Sequence, residues 1–225
     1  MSPTDTDPLL LTGRLVIVVV SLFLLVFGVR VAVTRRNRHR HDDLATALAA
    51  TRRPANQLPW IESAGGPLII VPTTALAHWR GASDGFYPDD VDSWDDYWRA
   101  CEVDGYAGTI PVGDAQALVL GDEPASTTYL PERRLFVRWI YAESEADVIR
   151  LIPKALEMAD WEDAGDWITD GPATLFDSAL AGDEAKRSDH LRIEVGPGTY
   201  QIRTAYVEPE NRTALALVHL ADQVG

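Results

Sequence analysis

The sequence predicts an α+β fold built on a mainly antiparallel sheet and preceded by one transmembrane helix. Three observations predict it. Short apolar runs bounded by Gly, Pro and Asp recur from residue 68 to residue 220. Only two stretches of this part, after Ser93 and after Ser144, show the i, i+3, i+4, i+7 apolar spacing of a helix. Leu15 to Val33 reads LVIVVVSLFLLVFGVRVAV, nineteen residues with a single charge, the length of a bilayer-spanning helix.

Taken in order, residues 1–14 form a short polar tail and 15–33 the membrane helix. Arg30 sits near the end of the span, where its stem can carry the guanidinium to the headgroups. A cleaved signal peptide is the rival, but TRRNRHRHDD follows the run where a small-residue cleavage site would be needed. Arg35, Arg36, Arg38 and Arg40 flank the inner side and keep it in the cytoplasm. The expected protein is therefore a single-pass protein of the inner membrane, with its tail outside and everything after residue 34 in the cytosol. Residues 34–57 read as a basic juxtamembrane spacer, broken by Pro54 and Pro59. The one cysteine, Cys101, fits a reducing compartment.

Residues 58–225 form the folded body. Strands are expected at 68–71, 108–112, 117–120, 135–141, 173–176, 191–195, 199–207 and 214–220, with GPG at 196–198 turning a hairpin between the sixth and seventh. The first helix is expected to start at Ser93 and to face the core through Trp94 and Trp98. The second starts at Ser144 and carries Val148, Ile149, Ile152, Leu156 and Ala159 on one face, with a kink at Pro153. Two similar halves are a further expectation. Trp60-Ile61, Gly66-Pro67 and an apolar run recur as Trp167-Ile168, Gly171-Pro172 and ATLF, and AGTIPV resembles PGTYQI. The tryptophans read as packing residues, Trp139 in LFVRWIY most of all.

The stretch PDDVDSWDDYW, residues 88–98, sets five aspartates among three large rings. Ser93 and Asp96 have the spacing of a capping box, and acids in a first turn favour the helix dipole. Asp89, Asp90 and Asp92 lie just before it. An EF-hand needs D-x-[DN]-x-[DN]-G with a later glutamate, and that pattern is absent. A solvated acidic loop and an acidic contact patch are the two readings, and no metal site or cofactor is expected.

Charge narrows the function. The body holds 30 Asp and Glu against 12 Lys and Arg, a net of −18. Such a field repels phosphate backbones, which argues against direct nucleic-acid binding, and it speeds the approach of a basic protein. Acidic surfaces also serve solubility, and charge alone does not separate the two. No G-x-S-x-G, H-E-x-x-H, Walker loop, paired C-x-x-C or strand-borne G-x-G-x-x-G occurs. His78, His190 and His219 are scattered, and a histidine in ALALVHL reads as packed or edge-placed. A carboxylate pair for hydrolysis stays open, because among 30 acids some must fall close together. The candidate contacts are Asp89, Asp90 and Asp92, then Glu102 and Asp104, and as a second patch Asp122 and Glu123. In that last stretch a turn built by Asp122 and Pro124 is the simpler reading.

The segments LPWIESAGGPLIIVP (58–72), RACEVDGYAGTIPVGDAQALVLGDEPASTTYLPERRLFVRWIYAES (99–144) and LRIEVGPGTYQIRTAYVEPE (191–210) resemble the immunity protein 21 family of bacterial polymorphic toxin systems. The likeness covers most of residues 58–225. It implies a protein that binds and neutralises a toxin from its own or a sibling cell, and the missing catalytic motifs make a non-enzymatic one the expectation. The membrane anchor and its arginine-rich flank are departures from the family's pattern. The alternative is a membrane-tethered structural or regulatory module of the cell envelope that recruits an endogenous partner.

Overall fold

Strand β1 (Leu68–Pro72) is LIIVP, and all five of its residues are buried. A strand in a single-faced sheet alternates between core and solvent, so an unbroken apolar run needs cover on both faces. The computed structural model supplies that cover. It describes residues 58–83, 95–121 and 124–222, which belong to one compact unit, Leu58–Gly225. The expected membrane helix, the spacer, Ser93, Trp94, Asp89, Asp90, Asp92, Asp122 and Glu123 lie outside the described residues. Among the described residues no helix is long and apolar enough to cross a membrane.

Two five-stranded sheets carry the unit, and every pairing within them is antiparallel. The first has β1 at its centre, in the order β2 (Gly108–Val112), β3 (Ala115–Leu120), β1, β7 (Ala173–Asp177), β8 (Leu191–Ile193). The second runs β4 (Ser126–Leu130), β5 (Leu135–Tyr141), β10 (Thr213–Asp222), β9 (Gly198–Glu210), β6 (Glu162–Thr169). Between the sheets lies one core, to which Leu68, Ile70, Leu118, Leu120 and Leu175 come from the first and Phe136, Trp167, Ile202, Val218 and Leu220 from the second.

The intervening residues point outward into two further cores. Ile69, Val71, Val119 and Phe176 pack under Leu76, Trp79, Ala100 and Ala185, which come from a 3-10 turn, helix α1 (Asp96–Cys101) and helix α3 (Gly182–Ala185). Leu135, Val137, Ala205, Leu215 and Leu217 pack under Val148, Ile152 and Ala155 of helix α2 (Glu145–Met158). The result is four layers, helix–sheet–sheet–helix, with both sheets buried on two faces. Each fully buried Val, Leu or Ile in them contributes roughly 1.5–3 kcal/mol. Contact on the first sheet's outer face is close enough that Gly182 has no room for a side chain, since a Cβ there would lie 1.8 Å from the Leu76 carbonyl oxygen.

The mainly antiparallel expectation holds, and several details change. Helix α1 is capped by Asp95, whose Oδ1 accepts from Trp98 N at 2.9 Å, and it does not begin at Ser93. Asp96 turns from cap partner to clasp: its carboxylate accepts from Arg80 N at 2.7 Å and from the Arg99 guanidinium at 2.8 Å. Helix α2 keeps the expected Ser144 cap and continues through Pro153, but Ile149 is exposed and Leu151 takes its place inside. The GPG segment makes no hairpin, because β8 and β9 belong to different sheets, and it carries the chain across the sandwich. Strands β4 and β6 and helix α3 were not expected. Among the described residues Trp79 and Trp167 are the fully buried tryptophans, while Trp139 is half-buried and meets Trp60 edge-on at 5.7 Å. Of the repeated segments, β1 and β7 are neighbours in one sheet, whereas β2 and β9 lie in different sheets.

Candidate functional site

Strand β6 ends one edge of the second sheet, pairing only with β9. Its sequence, EDAGDWIT, buries Trp167 and Thr169 and leaves both glutamate and aspartates outside. Counted from the end of α2, Glu157, Asp160, Glu162, Asp163, Asp166 and Asp170 are all exposed. An open sheet edge offers unpaired backbone groups to any passing strand, and charge and bulges blunt it. Both devices are present. The register slips between Asp163 and Asp166, where Gly165 adopts φ +89°. Asp163 closes the bulge by accepting from Gly165 N at 2.8 Å and from Gln201 Nε2 at 3.0 Å. Those two bonds hold its carboxyl below the usual carboxylate range.

The C-terminal end of β6 is tied to the other sheet. Trp167 Nε1 donates to the Gln116 carbonyl at 3.1 Å, and Ile168 N donates to Gln116 Oε1 at 3.0 Å. Beside this joint opens a cleft of about 370 Å³, lined among others by Thr74, His78, Asp114, Ala115, Ile168 and Asp170. Ile168 is 56% exposed there. Asp170 Oδ2 accepts from Thr74 Oγ1 at 2.7 Å, and among the described residues nothing pairs with Asp114.

Cations elsewhere are largely committed. Arg99 pairs with Asp96, Arg134 with Asp222, Arg150 with Asp147 and Glu210, Lys154 with Glu210, Arg192 with Glu194 and Arg212 with Glu143. Arg203 lies over the Trp161 ring, 5.6 Å from its centre. Exposed pairs of this kind add little stability. They do leave the surplus negative charge on other surfaces, of which β6 and its cleft are one.

Of the acids singled out from sequence, the described ones, Glu102 and Asp104, lie elsewhere, exposed on the loop after α1. The backbone of that loop backs onto Gly121: a Cβ on Gly121 would lie 2.6 Å from the Gly105 carbonyl oxygen and 3.0 Å from that of Val103. Glu102, Asp104 and Gly121 therefore share one region. Arg138, fully buried, secures it from the second sheet by donating to the carbonyls of Gly121 and, at 3.4 Å, Tyr106. Tyr106 in turn stacks on the exposed Tyr206 at 6.1 Å. This region follows the last residue of β3, and the cleft holds the first, so the two lie roughly 17–20 Å apart along the strand.

Cys101 lies at the surface, yet partial desolvation of its thiol pushes its pKa up, against the lowering effect of its hydrogen bond with Tyr97, and keeps it protonated at neutral pH. Burial likewise raises Tyr97. Among the described residues no three His, Cys, Asp or Glu side chains gather as a metal site.

The family model for immunity protein 21 matches residues 59–213. The chain belongs to the immunity protein 21 family. No curated protein and no solved structure matches it. The immunity-family match begins ahead of β1 and ends on the first residue of β10, so it takes in both sheets, the β6 edge, the cleft and the 102–104 loop. Residues 1–58 lie outside it.

Sequence reasoning passed over the β6 edge of this immunity domain, although one feature marks it. Residues 155–185 hold nine Asp and Glu and not one Lys, Arg or His. Attention to the denser aspartates of 88–98 concealed the longer run.

Proposed function

We propose that this chain is an immunity protein that binds a cognate protein toxin and neutralises it by capture. The single observation that carries the reading is the immunity protein 21 match over residues 59–213. The body's net charge of −18 supports a basic toxin, and a nuclease, which must hold phosphates, is the class that charge favours. An exposed acidic edge beside a cleft with an apolar floor is the kind of surface such a partner would use. The helix expected at 15–33 and the arginines after it hold the body at the inner face of the cytoplasmic membrane, where an arriving toxin would be met. No enzyme chemistry is needed for this role.

Co-expression tests it. The toxin domain encoded beside this gene is produced with the full chain in one arm and with residues 58–225 in another, and survival is scored. Rescue by both arms makes the anchor a matter of location. Rescue by the full chain alone makes tethering part of neutralisation. Rescue by neither, with both proteins present, ends the immunity reading and leaves the envelope module in its place.

A further inference from the structure

Resting on that immunity reading, we propose that the cleft at the C-terminal end of β6 receives one arginine or lysine side chain of the toxin and anchors the complex through it. At about 370 Å³ the cleft is at the small end of ligand pockets, which run from roughly 300 to 1,000 Å³. A long single side chain suits it better than a cofactor. Besides Thr74, His78 and Thr169, which also line it, the cleft has walls of two kinds. Ala75, Ala115 and Ile168 offer apolar surface, and Ile168, 56% exposed, is the most exposed large hydrophobic among the described residues. Asp114 and Asp170 supply carboxylates, and among the described lining residues there is no Lys or Arg to neutralise them.

That pairing of apolar wall and carboxylate matches the two parts of a long basic side chain, whose methylene stem lies along apolar surface while its charged head finds an acceptor. Asp170 is already held in place by Thr74 at 2.7 Å through Oδ2, so Oδ1 can accept from a visitor with little loss of side-chain freedom. The position is also fixed from beneath. The two bonds from β6 to Gln116 lock the strand end onto β3, and Asp114 sits in the β2–β3 turn next to it. A rigid cleft fed by an acidic edge separates two tasks. The exposed acids of β6 attract and orient a basic partner from a distance, and the cleft holds one side chain once it has arrived. Interface anchors are typically single side chains, arginine often among them, seated in pockets near the centre of the contact.

Binding of the full chain to the inactivated toxin domain encoded beside its gene, followed by surface-based kinetics, tests the proposal. Asp114→Asn with Asp170→Asn should lower affinity roughly 10- to 100-fold, chiefly through faster dissociation. Ile168→Arg, on an exposed position where folding is not at stake, should do the same by placing the chain's own cation in the cleft. A control of equal charge change outside the acidic edge and the cleft lining, Glu132→Gln with Asp189→Asn, should change affinity by no more than about twofold. Thermal unfolding of each variant shows that the fold is retained. If the unaltered chain binds and protects but the cleft variants bind as it does, the cleft proposal is overturned and the immunity reading stands. If the unaltered chain binds no toxin, both fall.

Discussion

Strand β1 lies at the centre of the first sheet with all five residues buried, whereas β6 closes an edge of the second with five of its eight residues exposed. The two strands are both extended backbone in the same sandwich, but they answer to different demands. A central strand covered by a helix layer on one side and a sheet on the other can only be apolar. An edge strand has a free flank, and three acids with a bulge keep that flank from joining a neighbour's sheet. The difference teaches where the chain can afford chemistry: the middle of the sandwich is given to stability, and the rim is left for contact.

The comparison breaks most sharply under truncation. Ile70→Ala empties the core between the sheets and Ile69→Ala the core beneath α1, and each should cost about 2–5 kcal/mol in urea unfolding. Asp166→Ala on β6 should stay within about 0.5 kcal/mol. Equal costs at Ile69 and Ile70 would bear out two-faced burial, and a negligible cost at Ile69 would refute the helix layer. Next in size, Ser144→Ala removes the cap whose Oγ accepts from Asp147 N at 3.2 Å, with an expected loss of about 1 kcal/mol.

A smaller effect concerns acid. Burial, then the Arg203 and Arg134 charges, lower the pKa of His219, which sits half-buried against Trp161. The unfolded chain therefore takes up this proton more readily than the folded one. Stability from His219 is complete above about pH 6.5 and is lost as pH falls through the lowered value. His219→Gln should flatten that part of the curve of unfolding midpoint against pH, and an unchanged curve would assign the slope to other groups.

The smallest effect on the fold and the clearest on the partner is charge reversal at the rim. Glu162→Lys with Asp166→Lys should leave the unfolding midpoint nearly unchanged and slow association with the toxin domain, steeply at low salt. The same measurement on Asp89→Lys, Asp90→Lys and Asp92→Lys decides between this edge and the loop before α1. Unchanged kinetics for either set removes it from the interface.

Much of the sandwich was legible because burial on two faces leaves a coarse mark: LIIVP and ALVL are apolar whichever way their residues point, and LFVRWIY and ALALVHL are so but for Arg138 and His219. The strands that escaped notice lack that mark. β4 is STTYL, whose threonines are buried, Thr127 through a bond from its own hydroxyl to the Ala125 carbonyl at 2.9 Å. β6 is mostly charged because it lies on an edge. The start of α1 was misplaced because Ser93 and Asp95 are both good caps by residue type; Asp95 caps the helix through Oδ1 while its Oδ2 accepts from Ser83 N at 2.6 Å.

What the sequence determined by itself is a strongly anionic body, antiparallel strands with two main helices, and membership of an immunity family, since composition, local periodicity and characteristic segments need no neighbours to be read. Tertiary structure alone decided that GPG crosses between sheets, that Glu102, Asp104 and Gly121 share one region, and that Asp114 and Asp170 meet beside Ile168 in a cleft. Residues 56 positions apart, such as those two aspartates, are brought together only by which strands pair and how the two sheets stack. No local property of the chain encodes that proximity.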